Sequence, residues 1–294
     1  MNNNNWISCE ASNLKINEKN FFIYMVRKIN RSAKKIFEQA YTGQFLKECL
    51  IYDDNDNRGV FTIIEGEDYY SLQISFEKDI SKYDTIRLMH DKIKSIINVK
   101  GNKELYLNIN AYNTTIINYF RNYGFVQDSL GFEYSMIKTV QKINELNDFK
   151  LNNCLEFRKF EDNHSQDYLS LLEDSFREQD LICNEKSELD EKTVLWLKKA
   201  GEKNEFGALW KDNCLIGIYV LDKEYISNIA VLSKYKNQGY GNIILNHCLK
   251  DIFINKEYND TYLYVYAVNT KAQKLYLKNG FEVSAFYSEN TYRC

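Results

Sequence analysis

Proline is absent from the 294 residues, where average usage would place roughly 15. Beside abundant Lys, Asn, Ile and Tyr, this absence reads as codon usage, and no structural conclusion rests on it. Histidine is scarce. His90, His164 and His247 are the only three, and no two stand at helical spacing, so a histidine-based metal site or a Ser-His-Asp triad has almost no raw material. The seven cysteines, Cys9, Cys49, Cys154, Cys183, Cys214, Cys248 and Cys294, are scattered and never in C-x-x-C spacing. That pattern argues against a disulfide scaffold and a zinc cage, and free thiols with no metal are expected. The longest strongly apolar runs, such as Cys214 to Leu221, are far too short to span a bilayer. Charge of one sign is missing too: 38 basic against 41 acidic residues give a net of -3, so nothing general draws the chain to nucleic acid or to an anionic membrane. The segment MNNNNWISCEASNLK has no basic stretch followed by an apolar one, so a cytoplasmic location is expected.

What is present suffices for folded cores, with 44% hydrophobic residues and 15% aromatics in a chain longer than one core usually organises. A repeat divides it. An offset of 156 residues aligns Tyr106 to Phe125 with Tyr262 to Phe281 without a gap, and seven of the twenty positions are identical, where random matching gives about one. The identities include Ala111/Ala267, Asn113/Asn269 and Gly124/Gly280. Two copies of one domain are therefore expected, over residues 1–148 and 149–294, linked by the polar stretch Gln141 to Asn153.

In the second copy, Leu155 to Phe160 reads as a strand and QDYLSLLEDSF as a helix. A further helix is expected near Glu188 to Ala200, with Val194, Leu195 and Leu197 on its apolar side. Phe206 to Trp210 and Leu215 to Leu221 form a hairpin around Lys211-Asp212-Asn213. A strand from Tyr225 to Leu232 follows, and KNQGYG, Lys236 to Gly241, leads into a helix carrying Ile244, Leu245, Cys248, Leu249 and Ile252. The strand Tyr262 to Val268, a helix from about Thr270 to Lys278, and strands around Phe281 to Phe286 and Thr291 to Cys294 complete the copy. Strands alternate with helices, so the class is mixed α/β.

A strand, G-x-G and a helix bring backbone N–H groups to the positive end of a helix dipole, where a pyrophosphate would be at home. A tight strand-to-helix turn with no ligand reads equally well from that feature alone. The dinucleotide pattern G-x-G-x-x-G fails because position 244 is Ile, and Walker A fails for want of G-K-[ST].

Two separate motifs carry a resemblance. The segment Tyr225 to Leu245, with Lys236-Asn237-Gln238-Gly239-Tyr240-Gly241 at its centre, and Asn269 to Phe281, with Asn269, Ala272, Leu275, Tyr276, Gly280 and Phe281, resemble the GCN5-related N-acetyltransferase (GNAT) superfamily over roughly residues 154 to 294. Lys236 departs from the Arg or Gln the family prefers. The resemblance implies two GNAT-like domains in tandem, each a mixed, mostly antiparallel sheet flanked by helices, with acetyl-CoA as co-substrate. It implies that residues 236–241 with Asn242 hold the acyl-CoA pyrophosphate, and that Ile229, Ala230 and Val231 present a strand edge to the pantetheine amides. It also implies that Asn269 contacts the pantetheine or caps the next helix beside Ala272, and that Tyr276 is the general acid for the departing thiolate. Tyr276 reads otherwise as a core ring with a polar tip. The base stays open among Glu224, Ser227, His247 and water.

Carried back by 156, the loop falls on Ile80-Ser81-Lys82-Tyr83-Asp84-Thr85, without glycine, and Tyr276 falls on Phe120. The first copy is therefore expected to be degenerate and non-catalytic, with strands near Gln44 to Asp53, Val60 to Glu65, Tyr69 to Phe76 and Leu105 to Ala111. A helix at about Asp84 to Ile97 and one long helix from Glu18 to Tyr41 accompany them. The expected function is transfer of an acetyl group to a primary amine, on a small molecule or peptide, by direct attack in a ternary complex. A CoA-binding regulator without catalysis is the alternative. The stretch Glu173 to Glu191 carries eight acidic and two basic residues, a field that would concentrate cationic acceptors. A solvated helix face, the commoner origin of such runs, is the other reading. Either a monomer or a homodimer accords with a two-copy chain.

Overall fold

The computed structural model describes residues 5–80, 83–152, 154–183 and 189–293, with the backbone alone at 83 and 178–183. In chain order the elements are β1 (Trp6–Cys9), α1 (Ile16–Arg27), α2 (Arg31–Thr42), β2 (Leu46–Asp53), β3 (Arg58–Glu65) and β4 (Tyr69–Phe76). Next come α3 (Tyr83–Val99), β5 (Glu104–Asn110), α4 (Thr114–Arg121), β6 (Phe125–Ile137) and α5 (Val140–Asp148). Then follow β7 (Leu155–Arg158), α6 (Ser165–Cys183), α7 (Glu191–Glu202), β8 (Phe206–Lys211), β9 (Cys214–Asp222) and β10 (Tyr225–Val231). The chain closes with α8 (Tyr240–Lys250), β11 (Asp260–Tyr266), α9 (Thr270–Lys278) and β12 (Glu282–Tyr292). On either side of α5 the same order appears twice: strand, two helices, three strands, helix, strand, helix, strand. The offset read from the motif extends through it, since β3, β4, β5 and α4 begin at Arg58, Tyr69, Glu104 and Thr114 and β9, β10, β11 and α9 at Cys214, Tyr225, Asp260 and Thr270. The fold is mixed α/β with a largely antiparallel sheet flanked by helices.

Two compact units result, Met1–Glu133 with Val283–Cys294, and Tyr134–Glu282. The first boundary lies inside β6, whereas the repeat alone suggests a break at 148/149. The C-terminal segment also counts with the first unit, because β12 pairs antiparallel with β5 from Tyr287 opposite Asn110 to Thr291 opposite Tyr106. A strand goes where its backbone groups are satisfied.

In the first unit β1, β2, β3 and β4 are successive antiparallel neighbours and β5 joins β4 in parallel. Alternation in β4 sends Leu72, Ile74 and Phe76 into one core, against Ile86, Met89, Ile93 and Ile96 of α3, whose spacing of three to four residues makes one helical face. The long helix expected over Glu18 to Tyr41 is two helices. Asn30 interrupts it, because its side chain accepts a hydrogen bond from the Ala33 amide at 2.7 Å and starts α2 as an N-cap. The expected linker 141–153 likewise contains α5, started by Thr139, whose hydroxyl accepts from the Lys142 amide.

Glu133 is fully buried and accepts from Arg27 Nη2, the Arg31 amide and Ser284 Oγ, each at 2.7 Å. Removing the carboxylate leaves Arg27 and Arg31, about a quarter exposed, without that counter-charge. Glu133→Ala is expected to lower unfolding free energy by about 3 kcal/mol, read as a fall in the urea midpoint. A midpoint unchanged from wild type would contradict this.

In the second unit β7, β8, β9 and β10 are antiparallel neighbours and β11 lies parallel to β10. The β8–β9 hairpin turns through Asp212 and Asn213, both with positive φ of 48° and 61°, as its Asp-Asn sequence allows. α6 and α7 bury Tyr168, Leu171, Leu172 and Leu197 against Ala208, Ile218, Val220 and Ala230 of one sheet face. Leu195, placed by periodicity on that side, is 51% exposed. The two terminal strands expected from the sequence are one, β12. Among the described residues no helix is long and apolar enough to cross a membrane.

Candidate functional site

β10 and β11 meet in parallel at one point, Tyr225 opposite Tyr262. Beyond it β10 stays paired to β9 as far as Val231, so its other edge is unpaired at Ile229, Ala230 and Val231. A cavity of about 430 Å³ opens there, and these three residues line it together with Lys236, Asn237, Gly239, Gly241, Asn242, Asn269, Ala272 and Tyr276. Eleven of the thirteen residues to which the resemblance gives a cofactor-binding or general-acid role are thus brought to one place. A bulge helps to aim the strand: the β10–β9 register shifts between Ile226 and Asn228, leaving Ser227 as the extra residue.

The floor is the start of α8. Gly239 is its N-cap with φ of 88°, in the left-handed region, and no side chain caps the helix. The Asn242 and Ile243 amides return to the Gly239 carbonyl at 3.0 and 3.2 Å. The Tyr240 and Gly241 amides lie too early in the helix for an intrahelical acceptor. A Cβ built on Gly239 would meet no protein atom within 4 Å, so the space above this turn is open to an anion. Three lysines, Lys236, Lys271 and Lys278, are among the residues that line the same cavity, and no Asp or Glu is among the described ones.

Tyr276 is 8% exposed. Its ring lies 5.6 Å from Phe281 and 6.1 Å from Tyr134. Its hydroxyl has no hydrogen-bond partner among the described residues, and burial pushes its pKa up. The phenol is therefore held protonated. Asn269 caps α9, accepting from the Ala272 amide at 3.1 Å, and it also lines the cavity.

Gln238 and Tyr240 are not among the lining side chains. The Gln238 amide turns back to donate to the Lys234 carbonyl at 3.0 Å, and the Tyr240 phenol bonds Lys211, whose pKa that contact raises. None of the three base candidates lines the cavity either. His247 stacks on Phe157 at 3.7 Å and burial lowers its pKa. The carbonyl of Glu224 accepts from the Thr261 hydroxyl at 2.7 Å. The acidic stretch 173–191 falls largely outside the described side chains: Glu185 and Glu188 are not described, and of Glu178 and Asp180 only the backbone is. Two of its members have local work. Asp174 accepts from the Ser233 amide at 2.5 Å, and although burial acts to raise its pKa, the bonds from Ser233 lower it. Asp190 is the N-cap of α7.

Sequence reasoning missed Ser175 and Phe176 of α6, which line the cavity from another element, and Val268, Lys271 and Lys278. Lys271 and Lys278 stand at helical spacing with Leu275, beside Ala272, so that face of α9 was a signal that could have found them.

The first unit treats the matching places differently. β4 and β5 are zipped over six consecutive pairs, from Tyr69 opposite Glu104 to Ile74 opposite Ile109. Asn113, which matches Asn269, is fully buried and bridges the strand end instead of capping, accepting from the Phe76 amide at 2.9 Å and donating to its carbonyl at 3.3 Å. Thr85 stands 156 residues before Gly241, and its carbonyl accepts from the Trp6 indole at 3.3 Å. That indole packs between Tyr52 and Phe76 at 5.3 and 5.8 Å. Ser81 and Lys82 of the matching loop lie outside the described residues.

Residues 165–281, which contain the opened strands and the glycine turn, match the model of the acetyltransferase (GNAT) family. This stretch is a GNAT domain. In fold the whole chain is similar to a GCN5-related N-acetyltransferase from Sphaerobacter thermophilus, with a TM-score of 0.54 and 10% identity over 98% of this chain and 95% of that one. It is also similar to a functionally unknown conserved protein from Staphylococcus epidermidis, with a TM-score of 0.50 and 13% identity over 79% of this chain and 90% of the other. At such identities the likeness is one of fold. No curated protein matches the chain. Within the GNAT domain, the cavity described above lies between β10, the start of α8 and α9.

Proposed function

We propose that the GNAT domain transfers an acetyl group from acetyl-CoA to a primary amine by direct attack in a ternary complex. The observation that carries this reading is the parting of β10 from β11 over a cavity with Gly239 at one side and Tyr276 at another. Bound acetyl-CoA would supply an activated thioester. The unpaired edge at Ile229, Ala230 and Val231 offers amide and carbonyl groups to an extended chain carrying amides, and its N–H groups can stabilise negative charge on the carbonyl oxygen as the amine adds. The first-turn amides of α8 and the ammonium groups of Lys236, Lys271 and Lys278 suit a pyrophosphate. Tyr276 holds its proton at neutral pH and can donate it, or a hydrogen bond, to the departing sulfur. No base is assigned: an amine with a pKa of about 10.4 must lose a proton before it attacks, to water or to the surrounding medium. The acidic residues of 173–191 favour a cationic acceptor.

The first unit is a copy of the domain that has lost this site. Its zipped strands leave no edge for a pantetheine, Trp6 fills the place beside Thr85, and Phe120 has no hydroxyl to give. Calorimetry is accordingly expected to find one acetyl-CoA site per chain, and CoA release from a panel of primary amines is expected to exceed hydrolysis in their absence. Two sites would reject the assignment of the first unit. Tight binding without amine-dependent release across the panel would favour a regulator that only binds CoA.

A further inference from the structure

Two thiols face each other across the outermost ladder of the first unit. β1 and β2 set Trp6 opposite Tyr52, Ile7 opposite Ile51, Ser8 opposite Leu50 and Cys9 opposite Cys49. Side chains alternate along a strand, so Cys9 and Cys49 share one face and Trp6 lies on the other. Directly opposed residues in an antiparallel ladder have Cα atoms about 4.5–5.5 Å apart, inside the window of about 4.4–6.8 Å over which a disulfide closes. Both thiols are free and buried, and both belong to the cluster that packs Phe22, Val26 and Val60 beneath α1. Burial raises the pKa of Cys49, and the neighbouring Cys9 raises it further. Cys154 and Cys214, by contrast, are exposed.

We propose that Cys9 and Cys49 are a modification site that closes to a cross-strand disulfide by exchange with a low-molecular-weight disulfide. In the first step the Cys9 thiol gives up its proton and its sulfur attacks one sulfur of the small disulfide. A mixed disulfide forms and one small thiolate leaves, taking a proton. In the second, the Cys49 thiol loses its proton and its sulfur attacks Cys9 Sγ, displacing the second small thiolate, which is protonated in turn. The two cysteines are oxidised, the small disulfide is reduced to two thiols, and atoms and electrons balance.

β1 has four residues and one strand neighbour within its unit, so it is the element of the sheet most easily frayed. The buried thiols carry little thiolate while it is seated, and exchange proceeds when its end opens. Once formed, the bond ties the strand that bears Trp6 to β2 and keeps the indole against the Thr85 carbonyl.

The test treats the full chain with oxidised glutathione, alkylates what remains free under denaturing conditions, and maps peptides without reduction. The expected result is a peptide pair joined through Cys9 and Cys49 that separates on reduction, with the oxidised chain melting above the reduced one. Cys9→Ser and Cys49→Ser should each lose the pair and leave the remaining cysteine in a mixed disulfide with glutathione. If either variant fails to fold, the wild-type map decides alone. Recovery of Cys9 and Cys49 as free thiols when Cys154 and Cys214 have already reacted overturns the proposal, as does a link from Cys9 to any other cysteine.

Discussion

Gly239→Asp is expected to abolish acetyl-CoA binding, with a loss of more than about 100-fold in affinity, while the chain keeps its melting temperature within a few degrees. Two effects act together. The residue sits at φ of 88°, a conformation that costs a non-glycine residue about 1–2 kcal/mol. The new carboxylate would also stand in the open space over the first turn of α8, where an anion is to bind, and would repel it. Gly239→Ala separates the two, because its Cβ meets nothing within 4 Å. It keeps the backbone strain without the charge and should weaken binding by about 10-fold or less. Gly241→Asp should behave like Gly239→Asp by charge, with its Cβ in ordinary contact with Leu275 at 3.4 Å. Calorimetry on the three variants checks the order. Equal affinity of wild type and Gly239→Asp would remove the glycine turn from the site.

Tyr276→Phe is expected to lower turnover by about 100-fold or more when chemistry is rate-limiting, with acetyl-CoA affinity kept. Only the hydroxyl is lost. The ring contacts with Phe281 and Tyr134 persist, and the first unit shows that Phe120 fits the matching place, almost wholly buried. Because burial raises the pKa of the phenol, its proton is in place below the ordinary tyrosine value of about 10. The pH–rate profile of the proposed transfer by the wild-type chain should therefore show no descending limb from Tyr276 up to about pH 10, and the mutant should lower the whole profile without moving its limbs. Unchanged turnover, measured from single-turnover rates, would leave Tyr276 as a packing residue.

Much of the site was legible because its parts are local. Gly239 and Gly241 at a strand-to-helix turn, and the Asn269 to Phe281 stretch around Tyr276, are short motifs whose geometry follows from neighbouring residues. The side chains of Gln238 and Tyr240 turn to Lys234 and Lys211 for a local reason of another kind. Within one turn of chain, alternate residues point in different directions, and the backbone of all six can matter while only some side chains reach the cavity. Asn269 and Asn113 show the limit most clearly. They are the same residue type at matching places in the repeat, yet one caps a helix and the other bridges the end of a strand. What differs is whether the adjoining strands have parted, a property of long-range pairing that no local motif carries.

By itself, the amino-acid sequence determined the mixed α/β class, the 156-residue repeat and the absence of glycine from residues 80–85, because periodicity, turn chemistry and identity are written along the chain. Only the tertiary structure decided that β10 and β11 open while β4 and β5 stay zipped. It alone showed that Ser175 and Phe176 reach the cavity from α6, that the Trp6 indole bonds the Thr85 carbonyl in the first unit, and that the last strand joins β5. Each of these depends on residues far apart in the chain competing for the same backbone groups or the same volume, and that competition is settled only when the sheets are built and packed.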